Sequence, residues 1–189
     1  MKPPLIQSDR LTLDAITPAD TDAVLEYCLD AELQRYTRIP VPYTRGDAEF
    51  FTGTYAAEAE SGSSVCLWAI RAVDAGDRLV GTIELRFDSP LVAELGYWLG
   101  APLRGRGIMT EALGLVVEYA LDPQGFALEK LRWDAVAGNH ASGLVAQRNG
   151  FTFVGTSPSH IAIRDRLHDA WLAELTASDS REPVDGWPL

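Results

Sequence analysis

The chain has 189 residues, of which 47% are hydrophobic and 23% charged, a balance typical of one globular domain of ordinary size. Its 16 basic and 27 acidic side chains give a formal net charge of −11, which argues against nucleic acid as a partner because phosphates would be repelled. We expect a cytoplasmic protein without a membrane partner, since no apolar run suits a transmembrane helix and no signal peptide is evident. Cys28 and Cys66 lack metal-ligand spacing, as do the three histidines, so reduced cysteines and no metal are expected.

The first half of the chain predicts one strand, then two helices, then two further strands. Thr17 and Pro18 are typical of a helix start, because threonine caps the first turn and proline fits the first helical position. Pro40 and Pro42 make the segment 30–43 at least partly irregular. The predicted elements are a strand over 9–16, a helix over 19–29, a helix over 44–60 capped by Thr44, and strands over 65–73 and 78–87 joined by a hairpin turn at 74–77.

The second half continues in the same manner. The predicted elements are strands over 92–99 and 130–136, helices over 104–121 and 139–149, a strand over 151–154 with an extension over 161–164, and a last strand over 168–175. Grouped strands with helices between some of them indicate an α+β fold with a mixed sheet and about four helices. We expect a single domain over 1–177. The prolines and the glycine of 178–189 predict a flexible C-terminal tail.

A glycine-rich, basic turn joins the strand over 92–99 to the helix that follows. The first turn of a helix has N–H groups without intrahelical partners, and the helix dipole adds partial positive charge there. Glycines allow the backbone to approach an anion closely. Because the patterns GxxxxGK[ST] and GxGxxG are both absent, the expected ligand is a pyrophosphate of another kind of molecule. A tight turn with solvated arginines is the alternative on this turn alone.

This junction resembles that of the GNAT superfamily, whose pattern is [QR]-x-x-G-x-[GA]. Arg104 and Gly107 match the first and fourth positions, whereas Met109 stands where Gly or Ala is usual, so its side chain must point away from the pyrophosphate. Over residues 9–176 the chain resembles the RimJ/RimL-type branch, the ribosomal-protein-alanine N-acetyltransferases, although Asp14 stands where that branch often has Arg. The segments that carry the resemblance are Arg10 and Leu11, Ala93 to Leu99, Thr110 to Ala112, Asn139 to Ser142, Gln147 to Phe151, and Asp169 to Leu175.

The resemblance implies a twisted, mostly antiparallel mixed sheet with a V-shaped split between the fourth and fifth strands, where acetyl-CoA binds as co-substrate without a metal. The backbone of Tyr97, Trp98 and Leu99 would hydrogen-bond the pantetheine like an added strand. Arg104 and Arg106 would add positive charge. The residues whose backbone amides would hold the pyrophosphate are Arg104, Gly105, Arg106, Gly107, Ile108, Met109 and Thr110.

Direct transfer of an acetyl group to an amine needs a base for the ammonium proton and a donor for the leaving sulfur. Superfamily members often place a carboxylate at the position of Glu94, which we predict as the base, with Glu84 on the adjacent strand as a rival. The chain lacks the C-terminal tyrosine that many members use as the acid. Ser142 matches the serine of the branch's N-x-x-S element and is the predicted donor to the sulfur; His140 is a minor alternative. By the same resemblance Asn139 would contact pantetheine, cap its helix, or do both.

The predicted function is therefore acetyl transfer from acetyl-CoA to a primary amine, which is a protein N-terminus or a small-molecule amine. The aromatic and proline-rich segment 35–55 is expected to line the acceptor side. A non-catalytic acyl-CoA-binding or sensing domain on the same fold is the alternative, and the presence of Glu94 and Ser142 favours the enzyme. A monomer or a homodimer is compatible with the sequence.

Overall fold

The computed structural model describes residues 1–62 and 64–189, and an eight-stranded sheet runs through them. The strands are β1 Ile6–Gln7, β2 Leu11–Asp14, β3 Val65–Ala72, β4 Leu79–Ser89, β5 Val92–Leu99, β6 Lys130–Val136, β7 Thr152–Ile163 and β8 Arg166–Thr176. The α-helices are α1 Thr21–Cys28, α2 Ala31–Tyr36, α3 Arg45–Glu49, α4 Ala56–Ser61, α5 Ile108–Leu121 and α6 His140–Arg148, and the π-helical segment Phe50–Tyr55 joins α3 to α4. None of the helices in the described ranges has the length and apolar character needed to cross a bilayer.

The sheet has the strand order β1-β2-β3-β4-β5-β6-β8-β7. All neighbouring pairs are antiparallel except β5 with β6, whose parallel ladder ends where Leu95 pairs with Trp133. Beyond that point β5 stays paired with β4 and β6 with β8, so the two parallel strands separate. The predicted mixed α+β sheet with a V-shaped split is therefore confirmed. The split lies between the fifth and sixth strands because the short β1 precedes the predicted ones.

Helices cover both faces of the sheet around this split. On one face, Tyr27 of α1 lies against Trp98 of β5, with ring centroids 6.5 Å apart. On the other face, the hydroxyl of Tyr97 donates to the backbone oxygen of Ser142 in α6 at 2.9 Å. Because side chains alternate along a strand, even-numbered residues of β5 face α1 to α4 and odd-numbered residues face α5 and α6.

Two helical segments differ from the sequence prediction. The helix expected over 104–121 begins only at Ile108, because Gly105 and Gly107 have φ angles of +77° and +78° in the left-handed region. The segment 30–43 contains the helix α2 within its irregular part. Asp30 caps that helix by accepting a hydrogen bond from the N–H of Leu33 at 2.9 Å.

The segment after β8 folds back along α6. The indole Nε1 of Trp187 donates to the backbone oxygen of Phe151 at 3.1 Å, and its ring centroid lies 5.3 Å from that of Trp133. Gln147 Nε2 donates to the backbone oxygen of Val184 at 3.0 Å. The prolines and the glycine of 178–189 predict a flexible tail, whereas the structure shows these contacts of Trp187 and Val184 with the rest of the domain. Burying a large indole ring is the physical reason for this segment to be held against α6.

Candidate active site

The turn between β5 and α5 presents a run of unpartnered backbone N–H groups. The N–H of Arg104 donates to the oxygen of Ala101 at 3.2 Å, and the next N–H with an intramolecular acceptor is that of Glu111, which donates to Gly107 at 3.0 Å. Within residues 1–62 and 64–189, no oxygen accepts a hydrogen bond from the six N–H groups of 105–110. Six such donors at the positive end of a helix dipole suit an anion with several oxygens, such as a pyrophosphate.

The side chains of this turn leave its inner surface open. Met109 is only 5% exposed and is part of the hydrophobic core, so it points away from the turn as its position required. A Cβ atom added at Gly105 or Gly107 would meet nothing within 4 Å. These two glycines are therefore needed for their positive φ angles and not for lack of space.

Arg104, which was expected to add charge at the anion site, is engaged elsewhere. Its Nη2 donates to Asp30 Oδ1 at 2.6 Å and its Nη1 to Glu32 Oε2 at 3.1 Å. Its Nε donates to the backbone oxygen of Leu99 at 3.3 Å. The guanidinium thus ties the turn to α2, and its charge is balanced by two carboxylates.

Two other arginines lie beside the same turn. The side chain of Arg106 is 52% exposed, and its Nη1 lies 3.7 Å from Asp74 Oδ2. Arg10, which the sequence did not single out for this site, donates from Nη1 to Glu111 Oε2 at 2.9 Å and from Nη2 to the backbone oxygen of Arg106 at 3.2 Å. Arg106 is thus the more available of the two predicted cations.

Alternate residues of β5 direct their backbone N–H and C=O groups into the split. The N–H of Gly100 donates to the oxygen of Val80 at 2.8 Å, which sets the alternation of the antiparallel β4–β5 ladder. By that alternation the backbone groups of Trp98 face β4, whereas those of Tyr97 and Leu99 face the split. Of the three residues expected to contact pantetheine, Tyr97 and Leu99 therefore have the required direction.

Carboxylates gather around a guanidinium on the α1–α4 face of the split. Arg86 lies opposite Glu94 in the ladder, and its Nη2 donates to Glu94 Oε1 at 2.7 Å. Its Nη1 bonds Glu84, which also accepts from the hydroxyl of Tyr55 at 2.9 Å. Both candidate bases are thus held by the same arginine. Asp134 of β6 projects from the same face, and its side chain is 14% exposed.

Asp134 was not among the predicted site residues. Burial raises its pKa, and the negative charge of Glu94 raises that pKa further. The positive charges of Arg38 and Arg86 oppose this shift without cancelling it. His160 Nε2 lies 3.7 Å from Asp134 Oδ2. Strand alternation places Asp134 on one side of β6, but only the pairing register, which the sequence does not specify, brings it near Glu94.

On the α5–α6 face, Tyr97 and Ser142 form a closed hydrogen-bond network. The hydroxyl of Tyr97 accepts from Ser142 Oγ at 3.1 Å and from the indole Nε1 of Trp133 at 3.1 Å, while it donates to the Ser142 backbone oxygen. Burial raises the pKa of Tyr97, so the hydroxyl stays protonated. Asn139 Oδ1 accepts from the N–H of Ser142 at 3.3 Å, which is the expected helix cap. His140 was the minor alternative to Ser142 as donor to the sulfur. Its ring packs against Trp171, with the two ring centroids 5.3 Å apart.

Similar proteins fall in one group. Residues 10–152 match the family profile described as acetyltransferase (GNAT) domain. The ribosomal-protein-serine acetyltransferase of Escherichia coli (strain K12) is 38% identical over 96 residues, which are 49% of this chain and 52% of that protein. The probable N-acetyltransferase YjcK of Bacillus subtilis (strain 168) is 30% identical over 110 residues, 56% of this chain and 59% of that protein. The chain thus spans about half the length of the curated relatives it matches.

Solved structures agree on the fold. A GNAT-family acetyltransferase from Bacillus anthracis superposes with a TM-score of 0.80 at 18% identity, covering 92% of this chain and 99% of its own. RimL, a ribosomal L7/L12 alpha-N-protein acetyltransferase in complex with coenzyme A, superposes with a TM-score of 0.79 at 21% identity, covering 92% and 98%. At such identities the likeness concerns the fold alone. Because the family profile spans residues 10–152 and the sheet has the split of this fold, the chain belongs to the acetyltransferase (GNAT) domain family.

Proposed function

We propose that the protein transfers an acetyl group from acetyl-CoA to a primary amine. One observation carries the proposal: six unpartnered N–H groups over 105–110 adjoin the strand edge that opens at the β5–β6 split. Amides of this number and spacing fit a pyrophosphate, and an open strand edge fits the extended, amide-containing arm of coenzyme A. In this arrangement the backbone of Tyr97 and Leu99 pairs with the arm, and Arg106 adds positive charge near the phosphates.

The acceptor amine binds on the α1–α4 face of the split, among the carboxylates around Arg86. Glu84, Glu94 and Asp134 there outnumber the two nearby guanidinium groups, those of Arg86 and Arg38, so an incoming ammonium ion finds uncompensated negative charge. Glu94 takes the proton from the ammonium group, directly or through a water molecule. Asp134, whose pKa is raised, is the second carboxylate able to hold that proton.

Acetyl-CoA supplies a thioester whose carbon–sulfur bond breaks as the amine nitrogen forms a bond with the carbonyl carbon. The electron pair of the broken bond stays on sulfur, and a proton must reach it. Ser142 Oγ is the proposed donor, and it regains a proton from solvent water, while the proton taken from the amine leaves Glu94 for solvent. Its proton points at Tyr97 in the free protein, so the serine hydroxyl must turn towards the sulfur when the co-substrate binds. The hydroxyl of Tyr97 keeps its bond to the Ser142 backbone oxygen and thereby holds the start of α6 in place.

The name of the Escherichia coli relative, ribosomal-protein-serine acetyltransferase, supports a protein acceptor. We therefore propose the N-terminal amine of a protein as the first acceptor to test, with small-molecule amines as the alternative. The acidic surroundings of Glu94 suit either, because both carry a positive charge before they lose a proton.

Acetyl-CoA binding is tested by calorimetry on a pair of variants at Gly105. Aspartate and asparagine both tolerate a positive φ angle and share one shape, so Gly105→Asp and Gly105→Asn strain the turn equally. Only the aspartate adds negative charge to the anion site. We expect Gly105→Asp to bind acetyl-CoA at least about tenfold more weakly than Gly105→Asn. Equal affinity of the two variants would contradict a phosphate site in this turn.

Catalysis is tested by release of free CoA thiol in the presence of peptides with free N-termini and of small amines. Turnover with any of them, reduced in Glu94→Gln, supports the proposal. Binding of acetyl-CoA without release of thiol across the whole panel would indicate the non-catalytic acyl-CoA-binding domain instead.

A further inference from the structure

The segment after β8 lies along α6, with contacts from Gly143 to Gly150. Near the end of that helix, a Cβ atom added at Gly150 would lie 2.3 Å from the backbone oxygen of Ser180, so the two backbones are in close contact. Near its start, a Cβ atom added at Gly143 would lie 2.7 Å from a side-chain carbon of Leu189. Gly143 directly follows Ser142, so this segment reaches the residue proposed as the donor to sulfur.

One side chain of the segment inserts towards the sheet. The ring centroid of Trp187 lies 5.3 Å from that of Trp133 and 5.5 Å from that of Phe153. Trp187 is partly buried, and its Nε1 is fixed by the backbone oxygen of Phe151 at 3.1 Å. Trp133 is 2% exposed, with Trp187 among the groups that cover it.

Trp133 in turn belongs to the hydrogen-bond network at the split. Its Nε1 donates to the Tyr97 hydroxyl at 3.1 Å, and that hydroxyl holds both the backbone oxygen and the Oγ of Ser142. A contiguous path therefore runs from Trp187 through Trp133 and Tyr97 to Ser142. Each step is a direct packing contact or hydrogen bond.

We propose that Trp187 is a positioning residue, which acts through Trp133 and Tyr97 to hold Ser142 in the geometry that acetyl transfer requires. The C-terminal segment then contributes to the geometry of the site. This inference rests on the proposed function for its catalytic readout. The physical reason is that a closely packed indole fixes its neighbour only while its own contacts are complete.

The test compares Trp187→Ala with Trp187→Phe and with Asp185→Ala, a change at an exposed position of the same segment. We expect Trp187→Ala to lower kcat about tenfold with a KM for acetyl-CoA within about twofold, because a small misplacement of a reacting group is costly. Trp187→Phe should recover most of kcat, since it keeps the ring contact with Trp133 and loses only the bond to Phe151. Asp185→Ala should match the wild type.

A double-mutant cycle separates positioning from general destabilisation. In a Ser142→Ala background, Trp187→Ala should change kcat less than about twofold, because the residue through which it acts is gone. The same tenfold loss in both backgrounds would overturn the proposal. So would a Trp187→Ala enzyme with unchanged kcat.

Hydrogen–deuterium exchange needs no turnover. It therefore tests the coupling of Trp187 to α6 even if the protein proves not to be catalytic. Hydrogen–deuterium exchange of peptides covering 139–146 should be faster in Trp187→Ala than in the wild type, while peptides from α5 remain protected. If the wild type releases no CoA thiol but this exchange pattern is found, the proposed function fails and the coupling of Trp187 to the start of α6 stands. Unchanged exchange at 139–146 would overturn the coupling itself.

Discussion

Arg104 and Asp30, 74 positions apart in the chain, are joined by a hydrogen bond of 2.6 Å between Nη2 and Oδ1. Asp30 also accepts from the N–H of Leu33, so one carboxylate caps α2 and anchors the turn that precedes α5. Burial would raise the pKa of Asp30, but the hydrogen bond from Arg104 and those from backbone N–H groups outweigh it, and the pKa is lowered. The arginine of the sequence pattern thus has a structural role in this chain.

Arg104→Ala should therefore affect stability, and Arg106→Ala should not. We expect the first change to lower the free energy of unfolding by about 1 kcal/mol, because it removes charge-assisted hydrogen bonds to a half-buried carboxylate. Arg106 has a single ion pair, 3.7 Å long and exposed, so its removal should leave the unfolding midpoint unchanged. Denaturant unfolding of both variants makes the comparison. A larger loss in Arg106→Ala than in Arg104→Ala would contradict it.

Glu94→Gln and Glu84→Gln form a matched pair for the identity of the base. Both changes keep the shape of the side chain, and both carboxylates contact Arg86. We expect Glu94→Gln to lower kcat about a hundredfold and Glu84→Gln less than about tenfold, because only the first removes the proposed proton acceptor. Acetyl-CoA affinity should stay the same in both. If Glu84→Gln proves the more damaging, Glu84 is the base.

Asp134→Asn should make the protein more stable and less active. The folded-state pKa of Asp134 lies above its ordinary value of 3.8, so the folded protein holds this proton more tightly than the unfolded chain. Stability is therefore lost as the pH rises from about 3.8 through the raised pKa, and the neutral asparagine avoids that loss. We expect a gain of up to about 1 kcal/mol at pH 7 together with a lower kcat.

The exposed Asp165→Asn is the control for this change, since it removes a charge outside the cluster. It should leave both stability and kcat unaltered. A destabilised Asp134→Asn at pH 7 would contradict the upward pKa shift, and an unaltered kcat would remove Asp134 from the proposed site.

Arg71 holds two carboxylates of the N-terminal region together. Its Nε donates to Asp14 Oδ1 at 2.8 Å and its Nη1 to Asp20 Oδ1 at 2.8 Å, and the Asp20 side chain is only 7% exposed. Arg71→Leu should lower the free energy of unfolding at pH 7 by about 3 kcal/mol, because it leaves a buried carboxylate unpaired. Removing the exposed pair of Arg78 with Glu26 should have little effect.

The loss in Arg71→Leu should shrink in acid. Burial would raise the pKa of Asp20, but the hydrogen bonds from Arg71 and Thr17 outweigh it and lower that pKa below 3.8. This ionised carboxylate therefore contributes stability above pH 3.8, which is lost as the pH falls through the lowered value. The difference in stability between wild type and variant should begin to shrink as the pH falls below about 4. A difference that is the same at pH 7 and pH 3 would contradict this account.

The sequence by itself determined the local elements and the glycine-rich turn between β5 and α5. The predicted bounds of the two central strands, 92–99 and 130–136, are those of β5 and β6, because hydrophobic patterning and turn residues act over short distances. Thr44 caps α3 as predicted, by accepting from the N–H of Asp47. The need for positive φ angles at Gly105 and Gly107 also follows from a local rule.

Only the tertiary structure decided which side chains meet. Arg104 lies on Asp30, Asp134 near Glu94 and Ser142 on the hydroxyl of Tyr97, and none of these contacts is encoded by spacing along the chain. Each depends on strand register and on where the two parallel strands separate. Register is set by the packing of the whole sheet, and a shift of one residue would turn every side chain to the other face.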